Sequence, residues 1–229
     1  MTSRKRFFGM VRRRRCWLPT WRGWATLVLI ISVAGFIGVR VAYPFLALTD
    51  PLPGGILVVE GWAPDYAVAE AVAEFKRQPY EKLCVTGGPM ERGVPLSVFK
   101  TYAELGAASA VKLGLAPTDV QALPAPEVRT DRTFASAVAL ARWLKERGVT
   151  RAKVNVVTVG AHARRTRLLF EMALPQDVSV GVVAVANEDF DPHRWWRSSQ
   201  GVRTVVGEAL AYAYARLLFH PFQKRAATP

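Results

Sequence analysis

Histidine is scarce in this chain, with three in 229 residues. One of them, His162, follows an apolar run and opens a helical pattern. Near neutral pH an imidazole in that place can act as a general acid or base, or donate to a phosphate. A structurally satisfied histidine is the plainer alternative. Arg164 and Arg165 follow closely and carry the charge that a phosphate or carboxylate ligand requires. Gly87 and Gly88 end another apolar run; they permit close backbone approach and can offer amide N–H groups to an anion, or they simply make a turn. Thr133 begins a further helical pattern, which Asp131 or Thr130 can cap. In the functional alternative, Thr133 and its helix N-terminus present a hydroxyl and a partial positive charge to an anionic ligand. Glu60 closes the first apolar run and is a candidate general base.

Other chemistries find no support. There is no G-x-G-x-x-G and no P-loop lysine motif, so a standard dinucleotide or NTPase site is not expected. HExxH, CxxC and His-x-His spacings are lacking, so no metal site is expected, and no cofactor is assigned. The two cysteines exclude a disulfide scaffold, and Cys84, set in an apolar strand pattern, reads as a small core residue.

Short apolar runs and longer helical patterns alternate along the chain and must position these groups. The spacing predicts strands at 56–59, 83–86, 120–123, 154–158 and 178–185. Helices are predicted at 66–77, 97–113, 133–147, 162–173 and 202–219. Five strand–helix alternations imply an α/β fold, a Rossmann-like doubly wound and mainly parallel sheet of about five strands. In such sheets ligands bind outside the carboxyl ends of the strands, where Glu60, Gly87, Gly88, Asp131, Thr133 and His162 all fall.

The net charge of +13 suggests nucleic acid until its position is considered. Residues 1–24 hold eight basic side chains and no acidic one, and Arg40 adds a ninth. The remaining chain is only +4, so no nucleic-acid partner is expected. The apolar stretch 24–48 contains Arg40 as its single charge and is long enough to cross a hydrocarbon core. Arg40 can snorkel at the far end. Trp17, Trp21 and Trp24 on one side and Tyr43 on the other suit interfacial anchors. A cleaved signal peptide, a buried core helix or a nucleic-acid arm are the rival readings. The resulting organisation is a basic cytoplasmic tail (1–23), a transmembrane anchor (24–48), a breaker-rich linker (49–55), an exported domain (56–220) and a short C-terminal tail (221–229). The basic tail would meet anionic headgroups on the cytoplasmic leaflet. Trp195 and Trp196 can pack under the last helix, form a contact surface or dip towards the bilayer.

Residues 157–170, VTVGAHARRTRLLF, resemble the V-T-S-x-x-H-x-x-R-A-x-x-x-F signature of the ElyC/SanA/YdcF family, a bacterial domain. VTGG at 85–88 and DRTFASA at 131–137 resemble that family's S-G-G and N-T-x-E-N-A segments in the same order. The tail from Trp196 through Gly201 and Arg203 to Glu208 is similar to the family's end, and the likeness covers roughly residues 54–219. It implies a Rossmann-like fold and a role in envelope barrier function, peptidoglycan and lipid-carrier metabolism; a soluble branch is described as binding S-adenosylmethionine. The chain departs from the pattern where the family's Gly-rich first loop is Glu60, Gly61 and Trp62, and where Tyr102 and Ser136 replace a glutamate and an asparagine. Gly87, Gly88, Thr133, His162 and Arg165 are retained.

The expectation is a single-pass protein of the bacterial inner membrane, its N-terminus cytoplasmic. Its exported domain would bind an anionic, phosphorylated cell-wall or lipid-carrier precursor, as a transferase, as a hydrolase or without catalysis. A tethered scaffold with a degenerate pocket and a nucleotide or S-adenosylmethionine binder are the alternatives.

Overall fold

The computed structural model describes residues 20–91 and 96–221. The basic run Arg12 to Arg15, Cys16, Trp17 and nearly all of the C-terminal tail lie outside the described residues.

The chain forms two compact units, Met1–Val39 and Arg40–Pro229. Helix α1, Trp21–Leu46, begins in the first. It is long and apolar enough to cross a membrane, and Leu29, Ile31 and Phe36 project from it exposed. The last turns of α1 belong to the second unit, where Tyr43 and Leu46 are buried. Tyr43, expected as an interfacial anchor, instead meets Phe190 edge-on at 6.1 Å. Arg40, expected to snorkel, lies over the Trp196 ring at 5.2 Å.

The second unit is an α/β domain of five parallel strands. These are β1 (Gly55–Glu60), β2 (Tyr80–Gly87), β3 (Val120–Pro124), β4 (Ala152–Val159) and β5 (Val178–Val185). Their order is β3-β2-β1-β4-β5, and every neighbouring pair is parallel. The connecting helices are α2 (Asp65–Arg77), α3 (Tyr102–Lys112), α4 (Arg132–Glu146) and α5 (Ala163–Ala173), with α6 (Ser199–Leu217) closing the chain.

Side chains alternate across a strand, and the core divides accordingly. Leu57, Val59, Leu83, Val85 and Val157 pack with α2 residues Ala67, Val68 and Ala71 on one face. Ile56, Val58, Cys84, Val154 and Val156 pack with Ala137, Leu140 and Leu144 of α4 and Phe170 of α5 on the other.

Two expectations change. Residues 97–100 are not helical: α3 starts later, because Thr101 and Glu104 form a reciprocal capping box at its N-terminus. The segment read as a linker is stitched into the domain. Asp50 exchanges backbone hydrogen bonds with Val182, and Arg167 pairs with its carboxylate at 2.6 Å. The Asn155 amide, buried inside β4, donates to the Leu52 and Gly54 carbonyls and accepts from the Leu52 N–H. A buried amide needs such partners, and the strap supplies all three. Trp195 is buried and lies edge-on to Trp196 at 6.0 Å, so both pack within the fold.

Candidate functional site

Strand order reverses between β1 and β4. A crevice opens at such a point at the carboxyl ends of the strands. The strand alternation that buries Ile56 and Val58 against α4 and α5 carries on to Glu60, and Val154 and Val156 carry on to Thr158 in the same way. The last residue on that face of each central strand is therefore polar. Both are fully buried, and Thr158 donates to Glu60 Oε2 at 3.1 Å.

The helices complete the cluster. Along α4 the inward positions are Thr133, Ala137, Leu140 and Leu144, so Thr133 is the first of the buried stripe. A short 3-10 turn, Gly160–His162, leads from β4 into α5. It holds His162 buried, with Nε2 3.4 Å from Thr133 Oγ1 and 3.5 Å from Glu60 Oε2. The other ring nitrogen, Nδ1, lies 2.9 Å from Glu208 Oε1 of α6. Arg165, one turn after His162, donates from Nε to Glu208 Oε2 at 2.8 Å and from Nη2 to Oε1 at 3.0 Å. Trp62 meets the imidazole edge-on, with ring centroids 5.2 Å apart.

The neighbouring charges shift the titration of each group. Burial disfavours an imidazolium, but hydrogen bonds and charge from Glu208 and Glu60 outweigh it and push the His162 pKa up to about 9. Burial likewise opposes the Glu208 carboxylate, yet His162 and Arg165 hold its pKa down at about 2. Glu60 stays ionised for the same kind of reason: against full burial, His162, Trp62 and Thr158 keep its pKa below the ordinary value. At pH 7 the cluster is two carboxylates, one imidazolium and one guanidinium. His162 is thus a proton donor. A relay in which it activates the Thr133 hydroxyl as a base would need the neutral ring, roughly one molecule in a hundred at that pKa.

A cavity of about 640 Å³ opens on this cluster, bordered by His162, Thr133, Ser136, Arg165, Gly88 and Arg129 among others. The volume suits a small-molecule ligand. Its floor includes the N-terminus of α4. Asp131 precedes that helix with a left-handed backbone, φ 60°, and provides no side-chain cap. Its carboxylate instead accepts from Thr130 Oγ1 at 3.2 Å. The capping role considered for Asp131 and Thr130 is therefore not used, and the first N–H groups of α4 carry no side-chain acceptor beside the cavity.

The sequence-predicted residues separate into groups. His162, Thr133, Asp131, Gly88 and Arg165 all border the cavity, and Glu60, which does not line it, faces the Nε2 side of the imidazole at 3.5 Å. Arg165 is engaged by Glu208, which makes it first a positioning residue. Gly87 does not reach the cavity: a side chain there would run into Tyr102 and Ala103, so it lets α3 pack on β2. Arg164 leaves the site altogether, donating to the Phe45 carbonyl and lying 3.9 Å over the Phe45 ring. Adjacent helical residues point about 100° apart, so His162 and Arg165 share a face that Arg164 cannot. Glu208, Trp62 and Ser136 enter the sequence reading only through the family likeness and its departures, not as site residues, and Thr158 does not enter it. Glu208 carries a further signal as the one carboxylate within 199–217.

Among the described residues, no group of three or more His, Cys, Asp or Glu side chains is arranged to hold a metal ion. The turn after β1 carries Gly61 and then Trp62, not the spaced glycines of a dinucleotide-binding turn. Compared with family models, curated proteins and solved structures, the chain gives no match.

Proposed function

We propose that this is a membrane-anchored envelope protein whose domain binds an anionic, phosphorylated precursor at the His162 cavity. The observation that carries the reading is the convergence, on one cavity, of a buried imidazolium and a helix N-terminus without a side-chain cap. The helix N-terminus favours negative charge and His162 brings a hydrogen-bond donor, its own charge being balanced by Glu60 and Glu208; Arg129 and Arg132 border the same space, Arg132 paired with Glu91. A phosphoryl group seated against the first turn of α4 would accept from its N–H groups and from the Thr133 hydroxyl. The His162 Nε2–H would donate to a phosphoryl or leaving-group oxygen, while Glu208, held by Arg165, orients the ring and stabilises its charge. This is the chemistry of a hydrolase or transferase in which the histidine serves as general acid.

The setting is proposed on the same footing. α1 would be the inner-membrane anchor, the basic N-terminus cytoplasmic and the domain exported. The resemblance to the ElyC/SanA/YdcF family supports an envelope role.

Isothermal titration of the full chain with lipid-linked phosphates and with their dephosphorylated counterparts tests binding, and phosphate release or transfer tests turnover. Phosphate-dependent binding that His162→Gln weakens supports the site. Turnover lost in the same variant supports the acid role, and binding without turnover leaves a tethered binding module. Equal affinity for phosphorylated and dephosphorylated ligands would overturn the reading.

A further inference from the structure

Helix α6 has two faces. Inward it presents Glu208 to His162, with Gly201, Val205 and Ala215 buried along the same side. Outward, at intervals of four and seven residues, Val202, Val206, Leu210 and Leu217 are 39%, 45%, 68% and 70% exposed. Ala209 and Ala213 fill the gaps between them and are exposed too. The outward face is therefore apolar over the whole helix, the inverse of an ordinary surface helix. Its only charges are Arg203 and Arg216, both exposed; the single carboxylate of α6 faces the other way.

The same helix is tied to the end of α1. Tyr212 meets Phe45 edge-on with centroids 5.8 Å apart, and Trp196, just before α6, carries Arg40 over its ring. Tyr43 of that turn has its hydroxyl against Gly160, at the carboxyl edge of the sheet. The apolar face thus lies beside the segment by which the domain joins α1.

We propose that α6 is an interfacial helix, its outward face seated in an anionic bilayer. The proposal rests on the reading that α1 spans a membrane, and it is independent of what the His162 cavity binds. An apolar stripe flanked by arginines, with no carboxylate on the face, is the pattern of a helix lying in the headgroup layer about 5–10 Å deep. A second copy of the chain fits the face less well. Two-fold pairing brings arginine towards arginine with no carboxylate to meet it.

The test uses the full chain with Cys16→Ser, one chain per nanodisc of phosphatidylglycerol and phosphatidylethanolamine, and a bimane label at Leu210→Cys, Ile31→Cys or Arg142→Cys. Spin-labelled lipids and aqueous iodide are the quenchers. Expected is loss of Leu210 fluorescence with lipids labelled near the headgroup and protection from iodide, whereas Arg142, exposed on α4, shows the reverse. Iodide access at Leu210 equal to that at Arg142, with Ile31 still quenched by lipid, overturns the docking and leaves the anchor standing. Protection at Leu210 that arises only in discs holding two chains overturns it in favour of a dimer. An Ile31 label that no lipid quenches overturns both the docking and the anchor.

Discussion

Replacing Glu208 with glutamine keeps the shape of the cluster and removes one charge. In the native protein the His162 pKa rises from 6.5 to about 9, which makes the imidazolium about 3 kcal/mol more favourable than in water. That figure is what remains after burial has opposed it, and the hydrogen bond to Glu208 is the largest lifting contribution. In Glu208→Gln the amide oxygen can still accept from Nδ1–H, but the carboxylate's charge is gone and the lift is reduced. Arg165, no longer engaged by a carboxylate, is left 2.9 Å from Nδ1 and repels the charged ring. Of the two carboxylates, Glu60, 3.5 Å from Nε2, still raises the pKa. The His162 pKa therefore falls below its native value of about 9, and less of the ring is protonated at pH 7. The assay is a pH titration of the histidine side-chain NMR resonances, simplified by there being three histidines in the chain. A His162 resonance in Glu208→Gln that still titrates near 9 refutes the reasoning, as does a native ring that is neutral at pH 7.

The stability profile should follow from the same shifts. The His162 contribution is complete below pH 6.5 and is lost as pH rises through about 9, while that of Glu208 is complete above pH 4.5 and is lost as pH falls through about 2. Thermal melts should therefore plateau between those limits and drop at either side; a midpoint unchanged from pH 6 to 10 would contradict the ion pair. Asn155→Ala removes three hydrogen bonds from a buried position, and urea unfolding should show a loss of about 2–4 kcal/mol, a loss under about 1 arguing that the strap is dispensable. Gly61→Ala should destabilise by about 1–3 kcal/mol or more, because its Cβ would collide with the Tyr102 backbone; an unchanged denaturation midpoint would show that α3 yields freely. Cys84 is buried with its thiol pKa pushed up to about 12 by desolvation. In Cys16→Ser it should react with a thiol reagent only on unfolding, and rapid native labelling would be inconsistent with this core.

Why some of this was readable in the amino-acid sequence and some was not is a matter of range. β5 is predicted and found at residues 178–185, and β4 differs only by its ends, because a buried strand declares itself in a local apolar run. His162 and Thr133 were readable for a related reason: each sits where a strand or loop gives way to a helix, and doubly wound topology sends such junctions to one edge. Glu208 was not, since its partner is 46 residues earlier and only tertiary packing turns α6 towards α5. Arg164 was over-read because two neighbouring arginines look equivalent in one dimension and diverge on a helix. The strap was missed because Pro51, Pro53, Gly54 and Gly55 resemble any loop. Its partner Asn155 sits in the middle of a valine-rich strand, and that lone amide was the overlooked clue.

The strap also determines where the polypeptide can be shortened. A fragment starting at residue 56 would keep four strands whole and all but the first residue of β1, but it would strand the Asn155 amide and leave Val182 without the backbone of Asp50. One starting at residue 48 would keep those bonds and still lose the buried Leu46 and Tyr43, the latter packed against Phe190. A soluble version suited to crystallisation or screening therefore has to begin at or before residue 40, in what a hydropathy plot would discard as anchor.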